Sequence, residues 1–322
     1  MKKAALLGVI AGLAVTLLAV LSAGPGAASA DGGPHVATGS DATPDKCAAC
    51  HRIHTGQNEY LLKEASTVTE FCYSCHGEGG AGSDLAVQEG TFYGVDPAGP
   101  APYGDEPAST SVALRSGGFD MARLNTSDPG FESIGVLASA QPVTSWHTND
   151  GATVGTMWGN GGIGTGAGPS YAMECTSCHD PHGNGQYRIL RPMPLGSSAA
   201  VGVTVTDQSD PKVYTTTNYF SVGPVSGVQM SSWCATCHTR YLANSTAGSG
   251  DPIFTNRHQS NGSLGTTCIK CHVAHGTNAA ASGEYSSTTG FPGGGTGTTA
   301  TAQSKLLKMD NRGICLKCHA DY

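Results

Sequence analysis

All twelve cysteines of this chain fall into six copies of one frame: Cys47-Ala-Ala-Cys50-His51, Cys72-Tyr-Ser-Cys75-His76, Cys175-Thr-Ser-Cys178-His179, Cys234-Ala-Thr-Cys237-His238, Cys268-Ile-Lys-Cys271-His272 and Cys315-Leu-Lys-Cys318-His319. A chain that commits every thiol to this frame has none left for a disulfide framework. C-x-x-C-H is the attachment signature of c-type haem. Two intervening residues bring two thiols to the separation of the vinyl groups on one porphyrin edge. The adjacent histidine then lies under the iron as its proximal ligand. The rival reading pairs the C-x-x-C units into zinc sites of four cysteines each. It leaves six histidines, each directly after a C-x-x-C, without a reason. The expectation is therefore six covalently bound haem c groups, with His51, His76, His179, His238, His272 and His319 as proximal ligands.

The chain has twelve histidines, and the six outside the frames are His35, His54, His147, His182, His258 and His275. Six haems have six distal positions, so every iron can be ligated by two histidines with none left over. Three of these residues follow a proximal histidine at i+3: His54 after His51, His182 after His179 and His275 after His272. On a helical turn such residues share a face. They cannot ligate opposite faces of one macrocycle, because the ring and its tethered chain stand between them. The second histidine of each C-H-x-x-H unit is thus expected to serve a different haem close by. Methionine is the other distal candidate and would raise the potentials. Met121, Met157, Met173, Met193, Met230 and Met309 keep no fixed offset from the frames, and histidine is preferred.

Composition agrees with a cofactor-filled chain. Glycine is abundant at 46 residues and aromatics are only 7%, so macrocycles would supply much of the buried apolar surface. Folding should then depend on cofactor attachment. The expected fold is a multihaem cytochrome c of mostly irregular loops, with short helices and little β-structure, wrapped around a closely packed chain of six haems. Short helices are expected at Tyr60 to Ala65 and Ser304 to Met309, and one strand at 201–207. The formal charge of −7 argues against nucleic acid as a partner.

Lys2 and Lys3, an apolar run from Ala4 to about Ala23, and Ala28-Ser29-Ala30 read as a secretory signal over residues 1–30. An uncleaved anchor is the alternative. The hexahaem domain is expected over 31–322: haems 1 and 2 in 31–76, a Gly/Pro-rich loop region in 77–170, haems 3 to 5 in 171–276, and a linker with haem 6 in 277–322. The expected location is extracellular or the cell surface, with the periplasm as alternative. Arg188, Arg191, Arg240, Lys270 and Lys317 are candidates to neutralise haem propionates, a solvated surface role being the alternative for each.

Saturated irons leave no open coordination site, and a multihaem reductase needs one beside acid–base groups. Electron transfer, not catalysis, is the expected chemistry. A monomeric periplasmic or surface carrier and a subunit of a polymer remain open on this ground, with a reductase third. The strings CAACHRIH, FCYSCHG, RLNTS, CTSCHDPHG, MSSWCATCHT, NRHQSNG, CIKCHVAHG and ICLKCHAD occur in an order that resembles the OmcS-like hexahaem cytochromes, subunits of extracellular filaments called microbial nanowires. The resemblance is concentrated at the frames, and the loops before the fifth haem and between the fifth and sixth look shorter. It implies low-spin, bis-histidine haems stacked in alternating parallel and T-shaped pairs. It also implies that His54 reaches a neighbouring subunit, ligating the haem held there by Cys268, Cys271 and His272. Such a head-to-tail contact does not close and generates a filament. Upstream periplasmic or outer-membrane cytochromes and extracellular electron acceptors are the further partners it implies.

Overall fold

A computed structural model describes residues 35, 44–80, 82–93, 112–124, 139–157, 159–160, 170–207, 210–214, 219–241, 258, 266–281, 302–303, 305–310 and 313–316. Among the described residues the α-helices are short, and each includes at least one cysteine of a frame: α1 (Pro44–Cys50), α2 (Val68–His76), α3 (Cys175–Cys178), α4 (Pro224–Cys234), α5 (Cys268–Cys271) and α6 (Gly313–Leu316). One helical turn places residues three apart on the same face, so within a frame on a helix both thiols face the same way.

Local chemistry fixes where these helices begin. Thr67 starts α2 with a capping box: its hydroxyl accepts from Glu70 N, and Glu70 Oε2 accepts from Thr67 N at 3.2 Å. Pro224 occupies the first turn of α4, where its missing N–H costs nothing. Helix α5 is seated on α4. Cys268 N donates to Ser231 Oγ at 3.0 Å, and a Cβ at Gly227 would lie 2.7 Å from Val222 Cγ1 and 2.9 Å from Thr267 Cγ2. Only glycine permits that approach, which brings the fourth and fifth frames together.

Among the described residues the strands are two or three residues long and all pair antiparallel. β1 (Leu85–Ala86), β2 (Thr91–Phe92) and β3 (Val112–Ala113) form one three-stranded sheet. β4 (Met121–Ala122) pairs with β5 (Gln141–Pro142), and β7 (Val154–Thr156) with β8 (Ser170–Ala172). β6 (Ser145–Trp146) pairs with β9 (Gly276–Thr277), Ser145 opposite Thr277 and Trp146 opposite Gly276. β10 (Ala280–Ala281) pairs with β11 (Ala302–Gln303). The apolar core is correspondingly divided. Ala113, Ala122, Leu124, Tyr214, Tyr219 and Val273 form one cluster, Tyr187, Leu190, Val205 and Met230 a second, and Val112, Leu114 and Val213 a third. Among the described residues no helix is long and apolar enough to cross a membrane.

The irregular, low-helix, low-sheet character matches the expected class. Three local expectations are corrected. Residues 60–65 and 305–309 are not helical. Leu61, Lys305 and Leu306 sit in the left-handed region (φ 56°, 55° and 64°), and their segments bond to a cysteine frame instead of to themselves. Residues 201–207 form no strand. Their backbone is used singly: Tyr187 N donates to Val205 O at 2.7 Å and Val203 N to Pro192 O at 2.5 Å.

Candidate functional site

The frames share one local geometry. In four of them the histidine N–H closes the cysteine turn on the first cysteine: His51 N to Cys47 O at 2.9 Å, His179 N to Cys175 O at 3.0 Å, His238 N to Cys234 O at 3.0 Å and His272 N to Cys268 O at 2.9 Å. The chain then leaves the turn. His179 (φ −110°, ψ 147°) and His272 (φ −110°, ψ 158°) are extended. The histidines of these C-H-x-x-H units therefore do not share one helical face, which corrects the sequence argument on that point.

Six ring nitrogens are held by backbone carbonyls. His35 Nδ1 meets Pro181 O at 2.8 Å, His51 Nδ1 meets Tyr60 O at 2.8 Å, His76 Nδ1 meets Leu85 O at 3.0 Å, His147 Nδ1 meets Ala274 O at 2.7 Å, His179 Nδ1 meets Arg188 O at 2.9 Å, and His272 Nδ1 meets Lys305 O at 3.0 Å. A carbonyl can only accept, so the proton sits on Nδ1 and Nε2 keeps its lone pair. That is the tautomer a metal ligand needs. Burial lowers the pKa of His76, His147 and His179, brings His272 down to about 4 and His275 well below the ordinary range. These rings are neutral at pH 7, as ligation requires.

The structure reveals a device that sequence reading missed. The tetrapeptides Tyr60-Leu61-Leu62-Lys63, Arg188-Ile189-Leu190-Arg191 and Lys305-Leu306-Leu307-Lys308 each strap one C-H-x-x-H unit with the same bonds. The first residue's carbonyl takes the Nδ1 proton of the proximal histidine, as above. The second residue's carbonyl accepts the N–H after that histidine: Arg52 N to Leu61 O at 2.8 Å, Asp180 N to Ile189 O at 2.7 Å and Val273 N to Leu306 O at 2.9 Å. The third pairs with the histidine as a single bridge. The fourth N–H returns to the second cysteine: Lys63 N to Cys50 O at 3.0 Å, Arg191 N to Cys178 O at 2.8 Å and Lys308 N to Cys271 O at 3.0 Å. The signal was a basic residue after a Leu/Ile-Leu pair. It follows the proximal histidine closely twice, while the Gly/Ser/Thr-rich segment separates the third copy from its frame.

The non-frame histidines come opposite frame histidines. Ring centroids are 6.1 Å apart for His35 and His76, 6.2 Å for His51 and His182, 6.3 Å for His147 and His238, and 6.3 Å for His179 and His275. Parallel rings in contact would sit at about 3.5–4 Å. Two imidazoles on opposite sides of one iron, with metal–nitrogen bonds of about 2 Å and roughly 1.1 Å from nitrogen to ring centre, put their centroids about 6.2 Å apart. The residues present fit the group that the frames imply. His182 Nδ1 lies 3.7 Å from Asp180 Oδ1, beyond hydrogen-bond range. His275 Nδ1 is buried and faces the Gly117 backbone outside normal hydrogen-bond geometry.

Thiols of successive frames are neighbours. Cys72 and Cys175 lie within hydrogen-bond reach, as do Cys234 and Cys268. In each pair the first thiolate formed is held by the other S–H and the second is pushed up. Burial raises Cys178 to about 12, with Cys237 the next cause, and raises Cys50, with Cys75 the next cause. The first five frames thus follow one another in space in sequence order. Among the described residues no three His, Cys, Asp or Glu side chains converge on a metal-sized site.

His54 and His258 are exposed. Neither Cys318 nor His319 is among the described residues, and Cys315 is described only as part of α6. Of the candidate propionate partners, Arg188 donates to Pro211 O at 3.0 Å, Arg191 to Thr176 O at 2.7 Å and Arg240 to Asn160 O at 3.1 Å. Lys317 lies outside the described residues.

A family model described as a doubled CXXCH motif matches residues 40–81, which hold the first two frames. The C-type cytochrome OmcS of Geobacter sulfurreducens is 23% identical over 248 residues, covering 60% of this chain and 55% of that relative. The chain thus matches about half the length of its curated relative. Together these findings support a multihaem c-type cytochrome. The doubled motif indicates covalently bound c-type haem, and the relative suggests electron transfer. No solved structure matches the chain.

Proposed function

We propose that the chain carries six bis-histidine c-type haems and conducts electrons over long range outside the cell, as one subunit of a cytochrome filament. Bound at the frames, haem supplies one-electron chemistry; the chain's residues fix its ligands and order. The observation that carries the reading is the set of four histidine pairs at 6.1–6.3 Å. They support a reading in which His182 serves the iron over His51, His35 that over His76, His275 that over His179, and His147 that over His238. The neighbouring thiols of the first five frames support a single line of haems.

The C-H-x-x-H units supply the argument for a polymer. The second histidine of the fifth frame stands opposite the third frame, and that of the third opposite the first. Each such unit serves the frame two places earlier. Continuing the rule, His54 of the first frame serves the fifth frame, that of His272, in a preceding copy. His258 is then left for the frame of His319. His54 is exposed, as this assignment requires, and Ile53, Tyr60 and Leu61 around it expose 82%, 52% and 42% of their surface. A head-to-tail contact of this kind propagates without closing.

The test is negative-stain electron microscopy of haem-staining material sheared from cells expressing the protein. Regular filaments that disappear in a His54→Ala variant support the polymer. Compact particles from the unmodified protein would replace it with a monomeric carrier.

A further inference from the structure

The four histidine pairs share a centroid distance but differ in how their rings are turned. The planes of His35 and His76 are 17° apart and those of His51 and His182 are 19° apart, so both pairs are nearly parallel. The planes of His147 and His238 make 43°. Those of His179 and His275 make 71°, close to perpendicular. The difference lies in what orients each ring. His179 is turned by the Arg188 carbonyl at its Nδ1, and carbonyls act on His35, His76 and His147 in the same way. His275 has no such handle, because its Nδ1 is buried with no hydrogen-bond partner. Its ring lies instead on the face of Phe119, with centroids 4.5 Å apart and planes 22° apart, a geometry favoured for stacked rings.

Phe119 is itself fixed. It is buried, and its N–H donates to Val87 O at 3.2 Å and to Gln88 O at 3.1 Å. Tyr73 of the second frame packs against its ring at 6.3 Å, tilted by 57°. Asn149 Nδ2 in turn donates to the Tyr73 hydroxyl at 2.8 Å. The segment that carries Phe119 also grips the backbone of its partner: His275 N donates to Ser116 O at 2.8 Å, and Gly118 N to Gly276 O at 3.2 Å. Residues 116–119 thus place both the backbone and the ring of His275.

Resting on the bis-histidine reading above, we infer that Phe119 is a positioning residue for the third haem: stacked on His275, it holds that ring across the plane of His179 and gives this haem an electronic character distinct from the first two. An imidazole donates π density into the iron d orbital perpendicular to its ring. Parallel rings raise the same orbital of a near-degenerate pair, whereas crossed rings raise one each. The single hole of low-spin ferric iron then sits in a widely split pair for the first two haems and in a nearly degenerate pair for the third. Small splitting leaves orbital angular momentum unquenched, which gives one large g-value. It also stabilises the ferric state less, so ring orientation raises the potential of the third haem by a route separate from ligand identity.

Electron paramagnetic resonance of the purified, fully ferric, full-length protein tests this. The unmodified protein should show at least one low-spin signal with a large principal g-value. His275→Ala should convert one haem from that signal to high spin, which assigns it to the third frame. Phe119→Leu keeps an apolar side chain but removes the flat face. It should lose the same signal to the rhombic low-spin region, gain no high-spin signal, and lower the potential of one haem in a redox titration. Phe119→Tyr retains a flat ring and should retain the signal. Phe119→Met gives the same reading if the leucine variant accumulates poorly. A leucine or methionine variant that melts lower but keeps the large-g signal would reduce Phe119 to packing and overturn the inference, with the ligand reading left standing. Unmodified protein that is wholly low-spin without a large-g signal would overturn it as well. His275→Ala protein in which every haem stays low-spin would overturn both the inference and the ligand reading at the third frame.

Discussion

Replacing Gly276 by alanine should disturb two histidine pairs at once. Gly276 stands in β9 opposite Trp146, and a Cβ there would drive into the Gly118 carbonyl and lie 2.9 Å from Trp146 Cβ and 3.2 Å from Ser145 O. Backbone lies on two sides, so no side chain can swing away. The Gly118 backbone has to retreat by about 1 Å to reach ordinary contact. That movement strains Gly118 N to Gly276 O at 3.2 Å and His147 N to His275 O at 2.9 Å. Overpacking of this kind costs about 1–3 kcal/mol, and each stretched backbone bond adds about 1 kcal/mol. The sum is roughly 3–5 kcal/mol, a fall of roughly 10 °C in melting temperature. The movement also carries His275 away from His179 and His147 away from His238. Differential scanning calorimetry and the ferric absorption spectrum are the assays, and high-spin signal from two haems is the expected spectral result. Unchanged melting with a wholly low-spin spectrum would refute the claim that this ladder holds the two histidine pairs in place.

Other consequences are more local. His182→Ala removes the ring opposite His51 and should convert one haem to high spin, whereas His182→Met should keep it low-spin and raise its potential; spectroelectrochemistry separates the two. Lys308 is buried over the rings of Tyr214 and Tyr219, and burial brings its pKa down from 10.5 to about 7. Between those values the unfolded chain binds more protons, so this group makes stability rise with pH by at most about 5 kcal/mol. Lys308→Met should flatten that rise in melting curves taken from pH 7 to 10, and an unaltered slope would count against it. Thr67→Ala should cost about 1 kcal/mol by removing the cap of α2. Hydrogen bonds from Ser66 and Thr67 hold the Glu70 carboxyl below its ordinary value, so the acid contribution to the box is present at neutral pH and lost as pH falls through that lowered value. Circular dichroism against pH reads both effects.

The frames were legible in the sequence because thioether attachment imposes a covalent spacing that no loop can alter. The sparse helix and sheet followed from glycine content and from the lack of long periodic segments. The straps at 60–63, 188–191 and 305–308 were not legible, and two of them were read as helices. Leu-Leu flanked by Lys satisfies helical propensity, but the neighbouring frame offers the same backbone groups better-placed partners, so tertiary bonding overrides it. Val201 to Asp207 failed for the same reason, its alternation serving single contacts with Tyr187 and Pro192 instead of a ladder. Which non-frame histidine stands opposite which frame was also beyond the sequence. His35 and His76 are close in the chain, but His147 and His238 are not, and only the β6–β9 ladder brings His147 to Ala274. His182 and His275 do lie opposite histidines of other frames, although the helical face invoked for the i+3 spacing does not exist.

Intact mass spectrometry of the purified, denatured protein tests the central claim most directly, because thioether-linked haem survives unfolding and each filled frame adds one haem to the polypeptide mass. Six increments on every chain are expected. A chain with fewer, or one whose extra mass is lost to a chelator, would contradict the assignment of all six frames to haem.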